Sequence, residues 1–183
     1  MATFASITPT AKLRADAAKS YNRMRAAGMP AGVTSAYRSR EEQTRLYNGW
    51  IKRLPGYNQA AKPGTSNHEF GTALDLPIAP RLWIAKHGAK YGWTVNPRES
   101  WHYNYSPARD AVRTAILARR ATAKARVAQV RKTLGILGWR ATKSKRVAAQ
   151  QLLKKLGYYH GAIDGNYGPL NKAAWAALIK ASK

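Results

Sequence analysis

Residues 66–75 read Ser66-Asn67-His68-Glu69-Phe70-Gly71-Thr72-Ala73-Leu74-Asp75, and residues 99–102 read Glu99-Ser100-Trp101-His102. The chain has only eight acidic residues and four histidines among its 183 residues, yet these two short stretches concentrate both. A hydrolytic zinc centre takes three protein ligands with nitrogen or oxygen donors and keeps one position open for water. His68, Asp75 and His102 can supply that set, leaving Glu99 as a carboxylate beside the metal. Gly71 would let the backbone turn between the first two ligands. By spacing alone the same residues also read as ordinary His–Asp hydrogen-bond pairs, the commoner arrangement.

Working outward, Thr8-Pro9-Thr10 reads as the start of a helix, with Leu13, Ala17, Tyr21 and Met24 at helical spacing until Gly28-Met29-Pro30 ends it. Gly32 to Tyr37 reads as a short strand. Ser39 can cap a second helix, with Glu41 and Glu42 in its first turn and Leu46, Tyr47, Trp50 and Ile51 on its buried face. Residues 55–67 are a loop by composition. Leu74-Asp75-Leu76 reads as a strand, Arg81 to Tyr91 as a helix, and 93–95 and 100–105 as two strands. Helices and strands interleaved around a long loop predict an α+β domain, a small antiparallel sheet with flanking helices, over residues 1–108.

From Arg109 to Arg146 the composition shifts to twelve Lys and Arg against the single Asp110. This predicts a basic helical linker (109–146), running as a helix to about Leu137, which could also pack through Val112, Ile116, Val127, Val130 and Leu134. Residues 147–183 predict a small all-α module. It comprises a helix with Val147, Leu152, Leu153 and Leu156 inward and Gly157 at its end, a tight loop through Asp164-Gly165, and a last helix capped by Asn171.

Composition narrows the classes. Apolar residues make up 45% and cysteine is absent, so the chain folds, and any metal must be held by His, Asp or Glu. The N-terminal segment has no basic start followed by an apolar run, and no stretch is long enough to span a bilayer. The expectation is a chain synthesised in a cytoplasm without a signal peptide. The formal charge is +24, from 32 basic and 8 acidic residues. Residues 1–108 carry 15 basic and 6 acidic residues, residues 109–183 carry 17 and 2. Such a field attracts polyanions generally, whether nucleic acid, anionic lipid or the anionic polymers of a bacterial wall, and charge alone does not decide among them. No zinc finger, aromatic RNA-binding signature or clear helix-turn-helix marks a specific nucleic-acid site.

The two opening stretches fit the patterns S-x-H-x-x-G-x-A-x-D and E-x-W-H. The segment SAYRSREEQTRLY (35–47) fits S-G-Y-R-(S/T)-x-x-x-Q, with Ala36 in place of the usual glycine, and KPGTSNH and KYGWTVNPRESWHY follow in the same order. Together they resemble the zinc D-Ala-D-Ala carboxypeptidase and L-alanyl-D-glutamate endopeptidase family, which includes phage endolysins, over most of residues 30–106. The resemblance implies one zinc ion per chain held by His68, Asp75 and His102, with Glu99 as general base and Arg38 facing the scissile carbonyl or the substrate carboxylate. It places Ser66 beside the substrate or the ligand loop. Tyr57 and Asn58 fall on the loop that forms the natural rim.

LLKKLGYYHGAIDGNYGPLNKAAWAAL resembles the short three-helix peptidoglycan-binding domain, with Asn171 in place of the usual threonine. Tyr158, Tyr159 and Tyr167 are then candidates for stacking on sugar faces. The combined expectation is an endolysin-like peptidase acting on the bacterial wall after release from the cytoplasm. Three alternatives stand beside it. One is a bacterial carboxypeptidase trimming terminal D-Ala. Another is a zinc-containing wall-binding protein without turnover, which would be expected to have lost Glu99 or Arg38. The third is a basic nucleic-acid-binding protein, which would not need the metal constellation.

Overall fold

The computed structural model describes residues 2–135 and 138–183; Leu137, the expected end of the basic helix, lies outside the described residues. The chain divides into two compact units, residues 1–113 and 114–183. Each has its own apolar core.

The first unit opens with an antiparallel hairpin of β1 (Phe4–Ser6) and β2 (Lys12–Arg14), with Ala5 opposite Leu13. Thr8-Pro9-Thr10, expected to start a helix, lies instead in the hairpin turn. The Ile7 and Thr8 N–H groups donate to the Ala11 carbonyl, and the Ala11 N–H donates to Thr8 Oγ1 at 3.0 Å. A proline's fixed φ and a threonine hydroxyl suit a turn as well as a helix start, so local chemistry does not separate the two. Helix α1 (Ala15–Ala26) follows directly and buries Ala17, Tyr21 and Met24.

Helix α2 (Arg40–Ile51) starts as predicted, with Ser39 Oγ accepting the Glu42 N–H at 3.2 Å. The strand expected over 32–37 reduces to one antiparallel bridge, Ser35 to Asp75. β3 (Ala73–Asp75), β4 (Trp93–Asn96) and β5 (Glu99–Tyr105) form an antiparallel sheet in the order β3-β5-β4. Helix α3 (Ile78–His87) begins three residues before the predicted Arg81 and passes into a 3₁₀ turn at Gly88–Tyr91. Leu13, Met24, Leu74, Ile84 and Trp93 meet between these elements.

Asp110 closes the first unit. It is fully buried and accepts from Arg23, from the Tyr105 hydroxyl at 3.0 Å and from the Arg113 N–H at 2.8 Å. Burial, and then this hydrogen bond to Asp110, push the Tyr105 phenol well above its ordinary range. Removing one member of a buried ion pair strands the other, so Asp110→Ala should lower stability by about 3 kcal/mol. The low end of the usual range applies because Arg23 keeps some solvent contact. A melting temperature unchanged by the substitution would contradict this account.

The second unit consists of α4 from Thr114 on (the whole helix is Ala111–Leu134), α5 (Lys143–Lys155) and α6 (Pro169–Ala181). Val127, Val130 and Leu134 share one face of α4 and pack with Leu153 and Leu178. The core therefore reaches back into residues first read as a linker. Gly157 ends α5 at φ +77°, as its C-terminal glycine should. Asn171 does not cap α6. Gly168 takes that place with Pro169 behind it, and buried Asn171 donates Nδ2 to the Asn166 carbonyl at 2.7 Å. Among the described residues, no helix is long and apolar enough to cross a membrane.

Candidate metal centre

The antiparallel register sets Asp75 of β3 directly across from His102 of β5. Side chains so paired start within about 5.5 Å of each other at Cβ. His68 reaches the same point from the turn before β3, where Gly71 adopts φ +65°. A Cβ on Gly71 would collide with Phe4 and with the Arg14 backbone, so the turn needs glycine for conformation and for space.

One ligand atom from each of His68, Asp75 and His102 lies within 4.8 Å of the others. His102 Nδ1 is 2.9 Å from Asp75 Oδ1, His68 Nε2 is 3.3 Å from Asp75 Oδ2, and the two inward ring nitrogens are 3.3 Å apart. The outer nitrogens fix the tautomers. His68 Nδ1 donates to the Ala36 carbonyl and His102 Nε2 donates to Asn104 Oδ1 at 3.0 Å. Two imidazole lone pairs and a carboxylate thus face one another, an arrangement that a divalent cation stabilises and that neutral groups alone do not. The donor set fits zinc.

The electrostatics agree with close packing. Burial alone would raise the Asp75 carboxyl, but with the imidazoles protonated and no metal between them, hydrogen bonds from His102 and His68 and their charge hold it well below the usual carboxylate range. Burial opposes charge on His102, yet Asp75 and Asn104 outweigh it and push its pKa up.

The cluster lies on a cleft of about 420 Å³ that Arg38, Ser66, Asn58, Asn96, Glu99 and Trp101 also line. Glu99 is half-buried and accepts from Asn96 Nδ2 at 2.8 Å. Arg38 donates Nη2 to Asp75 Oδ2 at 2.8 Å and Nε to Ser35 Oγ at 3.0 Å. Its Nη1 has no protein partner among the described residues. Ser66 is buried and accepts the His68 N–H at 3.2 Å, so it braces the ligand turn.

Several expected positions differ. Tyr57 does not line the cleft. Its ring sits against Gly49 of α2 and its hydroxyl accepts from Arg45 at 2.7 Å. In the second unit Tyr159 is a core residue, 4% exposed, whose hydroxyl donates to the Ala162 carbonyl, so it cannot stack on a sugar. Tyr158 is half-buried against the core, and Tyr167 is exposed and stacks on Trp139 at 4.6 Å.

Three residues at this site went unread. Asn104 Oδ1 also accepts from Asn67 Nδ2 at 2.8 Å, so an asparagine pair holds the outer edge of His102. Strand alternation carried the signal, since positions 102 and 104 share one face. Glu69 accepts from Arg40 at 2.8 Å and from the Gly64 N–H at 2.7 Å, tying the loop before His68 to α2.

The family model VanY, D-alanyl-D-alanine carboxypeptidase, matches residues 10–108, more than half of the chain. Among solved structures, the chain is similar to the vancomycin-resistance D,D-dipeptidase VanXYg in complex with a D-Ala-D-Ala phosphinate analogue. That similarity has 21% identity, 61% of this chain, 59% of that chain and a TM-score of 0.45. It is also similar to the LD-carboxypeptidase LdcB, at 24% identity over 56% of this chain and 69% of that one, with a TM-score of 0.40. The chain spans about three fifths of the length of the first of these. No curated protein sequence matches it.

Proposed function

The chain belongs to the VanY D-alanyl-D-alanine carboxypeptidase family, and on that premise we propose that it is a zinc peptidase acting on the peptide part of bacterial peptidoglycan. The observation that carries the proposal is the convergence of His68 Nε2, His102 Nδ1 and Asp75 on one cleft, with Glu99 on its wall. Zinc held by these three residues would polarise the scissile carbonyl and acidify water. Two neutral imidazoles and a carboxylate leave such a site with a net charge of about +1, so a neighbouring base has work to do. Glu99, oriented by Asn96, takes the proton of the attacking water and returns it to the leaving amine. Arg38 keeps Asp75 in place through Nη2 and offers Nη1 to the negative charge that develops on the carbonyl oxygen.

The Asn67–Asn104 pair is predicted to matter without touching substrate. Asn104→Ala removes the acceptor that fixes the His102 tautomer and should weaken zinc binding by about 10–100-fold. Asn104→Asp, which keeps an acceptor, should restore much of it. Competition with a zinc-binding dye measures both; equal affinity in the alanine variant and the parent would remove the assignment.

The wider reading is a phage endolysin whose second unit holds the wall. LLKKLGYYHGAIDGNYGPLNKAAWAAL supports the wall-binding part, and Tyr167 is the aromatic best exposed for it. A second reading, trimming of terminal D-Ala, draws support from the family's own description. Digesting purified peptidoglycan and identifying the new ends by mass spectrometry separates them. New internal ends favour the endopeptidase, released D-Ala favours the carboxypeptidase, and intact stem peptides defeat both.

A further inference from the structure

Residues 114–183 carry 15 Lys and Arg and one acid, Asp164. That carboxylate is already engaged, accepting from Gln150 Nε2 at 3.0 Å and from the Asn166 N–H and Nδ2 at 2.9 Å. The cations of this unit therefore have no free Asp or Glu side chain of their own to pair with. A net charge of +14 repels itself and favours an anionic partner.

The cations on α4 are ordered by the helix. Its buried face holds Ala123, Val127, Val130 and Leu134. Lys124 and Arg131 lie along one flank of that face, two turns and roughly 10 Å apart along the axis. There α4 and the end of α6 form a groove of about 540 Å³, with Val127, Ala128 and Ile179 on its floor and Lys124, Arg131 and Lys183 on its border.

The chemistry of the groove selects among polyanions. A lipid surface takes a basic helix by burying its apolar face. Here Val130, Leu153 and Leu178, the inward residues of α4, α5 and α6, are fully buried in the unit's own core. A nucleic-acid single strand takes a basic track with aromatic faces for its bases, and no aromatic residue lines this groove. Two cations two turns apart along a groove without aromatic residues suit a flexible chain with repeating phosphates.

We infer that the groove bordered by Lys124, Arg131 and Lys183 docks an anionic phosphodiester polymer of the bacterial wall, its phosphates lying against Lys124 and Arg131. The identity of this partner rests on the wall being the place of action, as in the proposed function.

The test uses the full chain carrying Lys124→Gln and Arg131→Gln together. A charge-matched control carries Lys132→Gln and Lys155→Gln, both exposed and not lining the groove. Binding is measured by co-sedimentation in the cold, across a salt series, on purified walls with their phosphate polymer retained or stripped by acid. The groove variant should bind polymer-bearing walls roughly tenfold more weakly, and its salt dependence should lose about one unit of slope per cation removed. On stripped walls the parent and both variants should bind alike. An equal loss in the control would overturn the inference in favour of diffuse charge, and so would undiminished binding by the groove variant. Tighter binding of the parent to duplex DNA than to the polymer at matched salt would overturn it in favour of nucleic acid. Cleavage of a soluble muropeptide scores the peptidase reading separately, because it needs no polymer and should be the same in all three proteins.

Discussion

Glu99→Gln should retain one zinc per chain and lower turnover by about 10²–10⁴-fold. The amide keeps nearly the shape of the carboxylate but cannot accept the proton of the attacking water. Glu99 stands outside the cluster formed by His68, Asp75 and His102, and it accepts a hydrogen bond from Asn96 Nδ2 at 2.8 Å. Metal content and cleavage of a soluble muropeptide should therefore separate. Full turnover with full zinc would remove Glu99 as the base. Loss of zinc along with turnover would make it a ligand instead.

Replacement of a ligand should give the opposite pattern. His68→Ala, Asp75→Ala and His102→Ala each remove one of three protein donors, so bound zinc and activity should fall together to near background. Stoichiometric zinc in any of the three would count against that residue. The pH dependence has a definite sign. Zinc needs the deprotonated imidazole of His102, whose pKa is raised above the ordinary 6.5 by Asp75 and Asn104 against the opposing effect of burial. As pH falls through that raised value, a proton replaces the metal. Zinc affinity should thus begin to weaken at a higher pH than an unperturbed histidine would give. Asp75, held well below the carboxylate range, should not contribute to this loss near neutrality.

The short motifs proved more legible than the elements that carry them. His68, Asp75 and His102 could be named as a candidate set because their donor types suit a hydrolytic metal, and it was the family resemblance that favoured this set over ordinary His–Asp pairs. The structure brings the three together. What the motifs could not supply was the register of β3 on β5, which places Asp75 opposite His102 through contacts 27 residues apart. Ser39 was legible as a cap because its function is completed within four residues.

Thr8-Pro9-Thr10 misled because hairpin turns and helix starts use the same residues, and only the pairing of Ala5 with Leu13 decides between them. Tyr57 and Tyr159 were drawn toward function by residue type, but tertiary packing set the ring of one against Gly49 and buried the other in a helical core. Charge was legible as a total and illegible as a pattern. The flank on which Lys124 and Arg131 lie appears only once Val127 and Leu134 are known to face inward.

Asp110 also determines where this polypeptide can be recombined. A splice made just after the strand that carries His102, near Ala108, would look tidy by motif but would discard the carboxylate that Arg23 and Tyr105 converge on. A chimera joining the first unit to an unrelated domain should keep the native chain at least through Arg113, whose N–H also donates to this carboxylate. Libraries with crossovers on either side of that point should therefore divide sharply in yield of folded protein. The divide would come from one buried acid with no part in the chemistry.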